Sequence, residues 1–209
     1  LHPIYLASAS PRRSALLKQI AVPHQVVVPD VDESPLAGEA PAEYVVRLAR
    51  AKAQRVWQQF TPEQRKPVLA ADTTVALGND IFGKPHHRSE GVAMLQRLSG
   101  VTHQVFTGVA LYHASGLHHA LSVSQVTMRT LTVAECESYW ESGEPQDKAG
   151  GYAVQGLAAA FIREIKGSYS GIMGLPLYET TQLLAALGWS LDQLSNEPKI
   201  EGVNGVVSL

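Results

Sequence analysis

The stretch Val68 to Leu77, VLAADTTVAL, constrains this chain most, because it is an apolar run with one carboxylate, Asp72, at its middle. Such runs form strands buried on both faces, where an ionised Asp costs on the order of 5 kcal/mol unless it is paired or metal-bound. Two readings of Asp72 stand side by side: a polar group kept for a site, or a solvated residue at the strand's C-terminal end that caps the next turn. With 209 residues, 45% of them hydrophobic, the chain can bury a sizeable core in one domain or two close lobes. Its formal charge of -2 gives no bulk drive toward nucleic acid or anionic membranes, so an anionic ligand must be small and locally gripped. Cys136 is the only cysteine, which excludes an internal disulfide and a thiolate cluster, and points to a packing role.

No apolar run reaches the ~18 residues of a membrane span, and no basic segment followed by an apolar core opens the chain. A cytoplasmic protein with no membrane partner is expected. Residues 1–194 read as one two-lobed domain, and Ser195 to Leu209, which loses helical periodicity, as a loose tail.

The chain opens with a short apolar strand, Ile4 to Ala7, followed at once by Ser8-Ala9-Ser10-Pro11-Arg12-Arg13. Ser10 suits an N-cap and Pro11 the first helical position, with Ala15, Leu16, Leu17 and Ile20 forming an apolar face. This strand, turn and helix aim backbone N–H groups and the positive end of a helix dipole at one point. Two arginines in the first turn oppose that dipole, an arrangement that makes sense if an anion binds there; an ordinary capped helix with exposed arginines is the alternative. Strand character returns from His24 to Pro29. The acidic loop Asp30-Val31-Asp32-Glu33-Ser34-Pro35 then offers oxygen ligands to a hard cation such as Mg²⁺ or Mn²⁺, or is simply solvated surface.

A long helix is predicted from Pro41 to about Gln59, and its apolar face, Val45, Leu48 and Ala49, reaches Lys52 four residues after Leu48. Lys52 either snorkels to water or points into a cleft to meet phosphate. Beyond the Asp72 strand, Gly78-Asn79-Asp80 predicts a hairpin turn, and Lys84 sits on the loop that returns from it. A helix over Glu90 to Leu98 and an antiparallel pair, Thr102 to His113 with Leu117 to Met128, make the sheet mixed. The scattered histidines lack metal-ligand spacing and read as surface or satisfied core residues. After a helix over Thr132 to Glu141, the loop Asp147 to Gly156, DKAGGYAVQG, is built for close ligand approach or for a tight crossover. A strand at Phe161 to Ile165, a turn at Lys166 to Gly171 and a last helix over Leu175 to Leu187 complete an α/β reading.

Taken together, SASPRR at Ser8 to Arg13, VDES with Glu33, RLARAKA around Lys52, AADTTV around Asp72, GKP at Lys84 and DKAGGYAVQG from Asp147 resemble the Maf family of nucleoside triphosphate pyrophosphatases. The resemblance spans nearly the whole chain. It implies an α/β fold like that of the inosine-triphosphatase group: a mixed twisted sheet with flanking helices, two lobes around a cleft, and assembly as a homodimer. It also implies divalent-metal-dependent cleavage between the α and β phosphates, and an association with arrest of septum formation. In that frame Asp72 and Glu33 hold Mg²⁺ or Mn²⁺, and Asp72 accepts the proton of the attacking water. Arg13, Lys52 and Lys84 bind the phosphates with Ser8 and Ser10, and Asp30 or Asp32 is a further candidate metal ligand. Three positions separate subgroups: Arg12, Thr73 and Gln155 look like the set that acts on dTTP and UTP, whereas Trp, Gln and Glu mark the 7-methyl-GTP subgroup. A Gln can pair with a pyrimidine's carbonyl and N3–H, while a carboxylate and an aromatic face suit a cationic guanine. The rival class is a non-catalytic nucleotide sensor, which has no need of a water-activating carboxylate.

Overall fold

The computed structural model describes residues 2–190, so the tail expected at 195–209 lies outside the described residues. A seven-stranded mixed sheet runs β2 (His24–Val27), β1 (Ile4–Ala7), β3 (Val68–Leu77), β5 (Thr102–His113), β6 (Gly116–Met128), β7 (Ile162–Lys166), with β4 (Asp80–Phe82) paired to β3 beside this row. β1 lies parallel to both β2 and β3, and the remaining pairs are antiparallel. The parallel pairs need crossovers, which α1 (Pro11–Gln19) and α2 (Pro41–Gln58) supply.

The register around β3 creates the cleft. One edge pairs continuously with β5, but the other pairs with β1 only over Val68 to Ala70 and with β4 only over Val75 to Leu77. Ala71 to Thr74 therefore form a bare edge between two strand ends. Neighbouring strand residues point to opposite faces, so Asp72 and Thr73 reach that opening from opposite sides of the sheet.

Gly108 of β5 pairs in register with Asp72. A Cβ at Gly108 would stand 2.6 Å from the backbone oxygen of Val45 in α2, so only glycine lets this helix lie so close across the Asp72 row. The inward stripe of α2, Val45, Leu48, Ala49, Ala53 and Val56, is fully buried and carries Lys52 with it.

Leu95 and Leu98 of α3 (Arg88–Leu98) join Met128 and Tyr139 in the core of one lobe. Ile4, Leu6, Leu17 and Leu184 form that of the other. Cys136 is buried in α4 (Val133–Glu141), a helix closed by a Thr132–Glu135 capping box, as its packing role required. Among the described residues no helix is long and apolar enough to cross a membrane.

Several boundaries differ from the sequence reading. The segment read as a turn from Lys166 to Gly171 holds a short helix, α5 (Tyr169–Met173), because Ser168 caps it through the Gly171 N–H and Gly174 ends it in a left-handed conformation. Asp80 belongs to β4 rather than to the turn, and Phe161 closes a 3₁₀ turn ahead of β7. The final helix, α6 (Leu177–Ala185), is shorter than expected, with Pro176 at its N-cap.

Candidate active site

A cleft of about 1000 Å³ opens over the bare edge of β3. All of Ser8, Ser10, Arg12, Arg13, Glu33, Lys52, Asp72, Thr73, Lys84 and Gln155 line it, so residues spread along the chain converge there.

On the α2 side, Asp72 is 6% exposed and Lys52 is 5% exposed. Lys52 Nζ lies 2.5 Å from Asp72 Oδ1 and 2.6 Å from Glu33 Oε1, so both carboxylates close on one cationic point. Burial pushes the Asp72 carboxyl above its ordinary range, and Lys52 and Arg13 pull it back only in part. Glu33, half-exposed, also loses solvent, but Lys52, Lys84 and Arg13 more than offset that and hold it below the usual carboxylate range. The Tyr44 hydroxyl donates to the Glu33 carbonyl at 2.9 Å and so places the acidic loop against α2. Lys52 thus points inward as the cleft reading held, but it meets carboxylates. The other acidic candidates do not join them: Asp30 and Asp32 do not line the cleft, and Asp32 turns to accept the Ser34 N–H at 2.9 Å. That local Asx bond satisfies the carboxylate without any partner across the cleft.

The opposite face sets Arg13 among neutral oxygens. Arg13 donates from Nε to the Gly174 carbonyl at 2.7 Å, and from its terminal nitrogens to Ser8 Oγ and Thr73 Oγ1, each at 3.3 Å. Each terminal nitrogen keeps a second N–H. Thr107 donates to the Gly171 carbonyl at 2.8 Å, so Thr73, 2.9 Å away, donates to Thr107 and is free to accept from Arg13. Burial lowers the Arg13 pKa, with Asp72 opposing, but a guanidinium stays charged in proteins. Ser10 sits at the N-cap of α1 yet makes no side-chain cap bond; Ser8 Oγ instead accepts the Ser10 N–H at 3.1 Å. The hydroxyl that meets the backbone here belongs to Ser8, two residues before the N-cap, and it holds the turn rather than the first helical N–H groups.

The third wall is the glycine loop. Gln155 is exposed and lines the cleft, as do Asp147 and Lys148. Asp147 holds a left-handed φ of 63°, rare for a residue with a side chain. Desolvation lowers the Lys148 pKa, and Arg12 adds repulsion, so two cations face each other at this mouth. Sequence reasoning named the loop but missed Lys148 and Asp147 as lining residues, and also Tyr44 and Gly174. The lysine within a glycine-rich loop was a usable signal; the Gly174 carbonyl carried none.

Among the described residues no group of three or more His, Cys, Asp and Glu side chains could hold a metal ion alone. The two carboxylates that meet at Lys52 Nζ nevertheless suit a hard cation, because Mg²⁺ commonly takes one or two carboxylates and fills its shell with phosphate oxygens and water.

Comparison with known proteins agrees with this arrangement. A protein of Bordetella avium named dTTP/UTP pyrophosphatase is 52% identical over 194 residues, covering 90% of this chain and 96% of that protein. One of the same name from Alkalilimnicola ehrlichii is 52% identical over 184 residues, with 87% and 91% covered. A third from Pseudoalteromonas atlantica is 47% identical over 185 residues, with 88% and 96% covered. Among solved structures, the Staphylococcus aureus Ham1 protein matches at 13% identity and a TM-score of 0.46, over 88% of this chain and 97% of that one, a likeness too loose to carry an argument. The family model described as Maf-like protein matches residues 3–187, a span that includes every wall of the cleft, and the chain belongs to the Maf family.

Proposed function

We propose that this protein hydrolyses dTTP and UTP to the nucleoside monophosphate and pyrophosphate. The observation that carries the reading is the buried Asp72 carboxylate, raised in basicity by desolvation and facing a cleft whose other cations lack fixed carboxylate partners. Triphosphate hydrolysis demands charge neutralisation, an aligned water and a stabilised leaving group, which are mostly electrostatic tasks. Asp72 takes the proton of the attacking water at a carboxylate oxygen, and its raised pKa makes it the stronger base of the two acids. Arg13, fixed on neutral oxygens, offers its remaining N–H donors to phosphate. Lys84, exposed at the rim, adds a mobile charge. Ser8 and the start of α1 complete the phosphate side, and Lys52 passes from the carboxylates toward phosphate oxygens as the substrate arrives.

Glu33 and Asp72 would hold Mg²⁺ or Mn²⁺, and the ion would neutralise phosphate charge and polarise the scissile linkage. Gln155 reads the base: its amide supplies one acceptor and one donor, matching the N3–H and carbonyl of uracil or thymine. The relatives named dTTP/UTP pyrophosphatases support that choice. A cytoplasmic homodimer is part of the same proposal, and light scattering in solution tests the dimer.

The test is a panel of ordinary and modified nucleoside triphosphates, with and without Mn²⁺, scored for monophosphate and pyrophosphate. UTP and dTTP should lead and purines trail. A preference for 7-methyl-GTP sinks the base assignment, and no metal-stimulated turnover on any nucleotide leaves a nucleotide sensor as the reading.

A further inference from the structure

We propose that Tyr139 and Glu144 are positioning residues for Gln155, and that discrimination between bases depends on this pair. The inference rests on the reading that Gln155 meets the base edge. The loop that carries Gln155 belongs to no strand or long helix, so some other structure must hold it at a fixed depth in the cleft. Tyr139, 4% exposed on α4, supplies it. Its hydroxyl accepts the Ala153 N–H at 3.1 Å and donates to Glu144 Oε1 at 2.7 Å. The Glu144 carboxylate then accepts the Leu157 N–H at 2.8 Å and the Ala158 N–H at 3.2 Å. The chain is thereby tied two residues before Gln155 and again two residues after it, to one phenol and one carboxylate.

Gly156 is part of the same device. A Cβ there would stand 2.2 Å from Glu144 Oε2, so only glycine lets the carboxylate lie against the backbone beside Gln155. Burial pushes the Glu144 carboxyl up, but the Tyr139 hydroxyl and then the charge-assisted bonds from the Leu157 and Ala158 N–H groups hold it below its usual range. Neither Tyr139 nor Glu144 lines the cleft in which Asp72 and Lys52 sit. The pair therefore acts on where the base stops, since a misplacement of about 1 Å at a recognition group costs on the order of a hundredfold. A slackened loop also admits a larger base.

The experiment measures kcat and KM for UTP and GTP in the full chain carrying Tyr139→Phe or Glu144→Gln, each alone and in a Gln155→Ala background. Either variant should lower the UTP to GTP ratio of kcat/KM by roughly tenfold, mostly through KM for UTP, with kcat for UTP within about threefold. In the Gln155→Ala background neither should lower the ratio further, because the group being positioned is gone. Glu144→Gln keeps size and one acceptor oxygen, so it serves if Tyr139→Phe does not fold. An unchanged ratio in both folded variants overturns the inference, and so does an equal loss with Gln155 already removed, which would mark a merely structural role. A wild-type protein with no preference for UTP overturns the substrate reading and this inference with it. A wild type that prefers UTP, and variants that keep the preference, overturn this inference alone.

Discussion

Asp72 and Thr73 are neighbours on one strand, yet the two faces they serve solve opposite electrostatic problems. On the Asp72 face a lysine and two carboxylates satisfy one another at 2.5 and 2.6 Å. On the Thr73 face a guanidinium is held only by a carbonyl and two hydroxyls. The first face holds groups that can change protonation or partner, which suits proton transfer and metal binding. The second fixes the direction of a charge without neutralising it, so the charge stays available to an anion. A bare strand edge four residues long, Ala71 to Thr74, lets both faces serve one cleft.

The hardest way to break the contrast is Asp72→Asn, which keeps shape but removes both the proposed proton acceptor and one proposed metal ligand. Turnover should fall by at least ~10²-fold. The fold should survive, and the melting temperature at neutral pH should not drop. The sign follows from the raised native pKa: the native state binds this proton more tightly than the unfolded chain does. The stability that Asp72 contributes is thus fully present below the unfolded value, near 3.8, and falls as pH rises through the raised native one. Activity runs the other way, because the ionised base is lost as pH falls through that same value. An acid limb of kcat/KM should therefore be present in the wild type and vanish from the residual rate of Asp72→Asn. Near-normal turnover in the folded variant ends the case for Asp72 as base.

Arg13→Lys tests the other face at lower cost. It keeps a positive charge but loses the fork that reaches Gly174, Ser8 and Thr73 together. Two or three bonds to a charged group are at stake, so kcat/KM for UTP should fall on the order of ten- to a hundredfold. The acid limb should stay in place, since lysine keeps the positive charge that opposes the rise of the Asp72 carboxyl. A limb that moves with Arg13→Lys would mean that the exact placement of this charge, and not only its presence, sets the protonation of Asp72.

The contrast was partly legible before the structure. The ten-residue apolar run predicted β3, Ser10-Pro11 predicted the start of α1, and the periodicity of α2 placed Lys52 on its inward stripe. The scattered histidines fit their core or surface reading only in part: His87 caps α3, but His86 lines the cleft, and His103, buried against Tyr152, leaves its Nδ1 without a partner among the described residues. What local pattern does not carry is the identity of a partner. Whether Lys52 meets water, phosphate or carboxylate depends on how near α2 lies to β3, and that distance is set by Gly108, a glycine inside a strand 56 residues away in sequence. Asp32 and Glu33 are adjacent acids, but the shorter Asp bonds the backbone two residues on while Glu33 reaches across the cleft to Lys52. The Gly174 carbonyl that anchors Arg13 leaves no trace in side-chain chemistry at all.

Gly108→Ala turns that dependence into a measurement. The added methyl meets the Val45 backbone, which cannot rotate away, so α2 must lift. Overpacking of this kind costs about 1–3 kcal/mol, read as a lower melting temperature. Because Lys52 rides on α2 and Arg13 does not, the loss in activity should appear in kcat, with KM for the triphosphate changed less. An Ala variant of wild-type stability and rate would show that the helix spacing is incidental to the Asp72 pair.

Thr73→Val is the smallest change and the sharpest, because Thr73 is one of three positions that the family resemblance ties to base choice. In the structure its hydroxyl is engaged on both sides: it accepts from Arg13 and donates to Thr107. Valine keeps the branched shape and strand propensity but removes the oxygen, leaving one Arg13 terminal nitrogen without its neutral partner. Thr107 keeps its bond to the Gly171 carbonyl, so the damage stays local. The loss should be about 1 kcal/mol, close to fivefold, in kcat/KM for UTP. It should fall on KM, and equally on UTP and on 7-methyl-GTP, because Arg13 serves phosphate and both nucleotides carry the same phosphates. A change in the ratio between those two substrates would instead make Thr73 a reader of the base. Equal losses would make it a support of the arginine, and would leave Gln155 and Arg12 to account for the base preference.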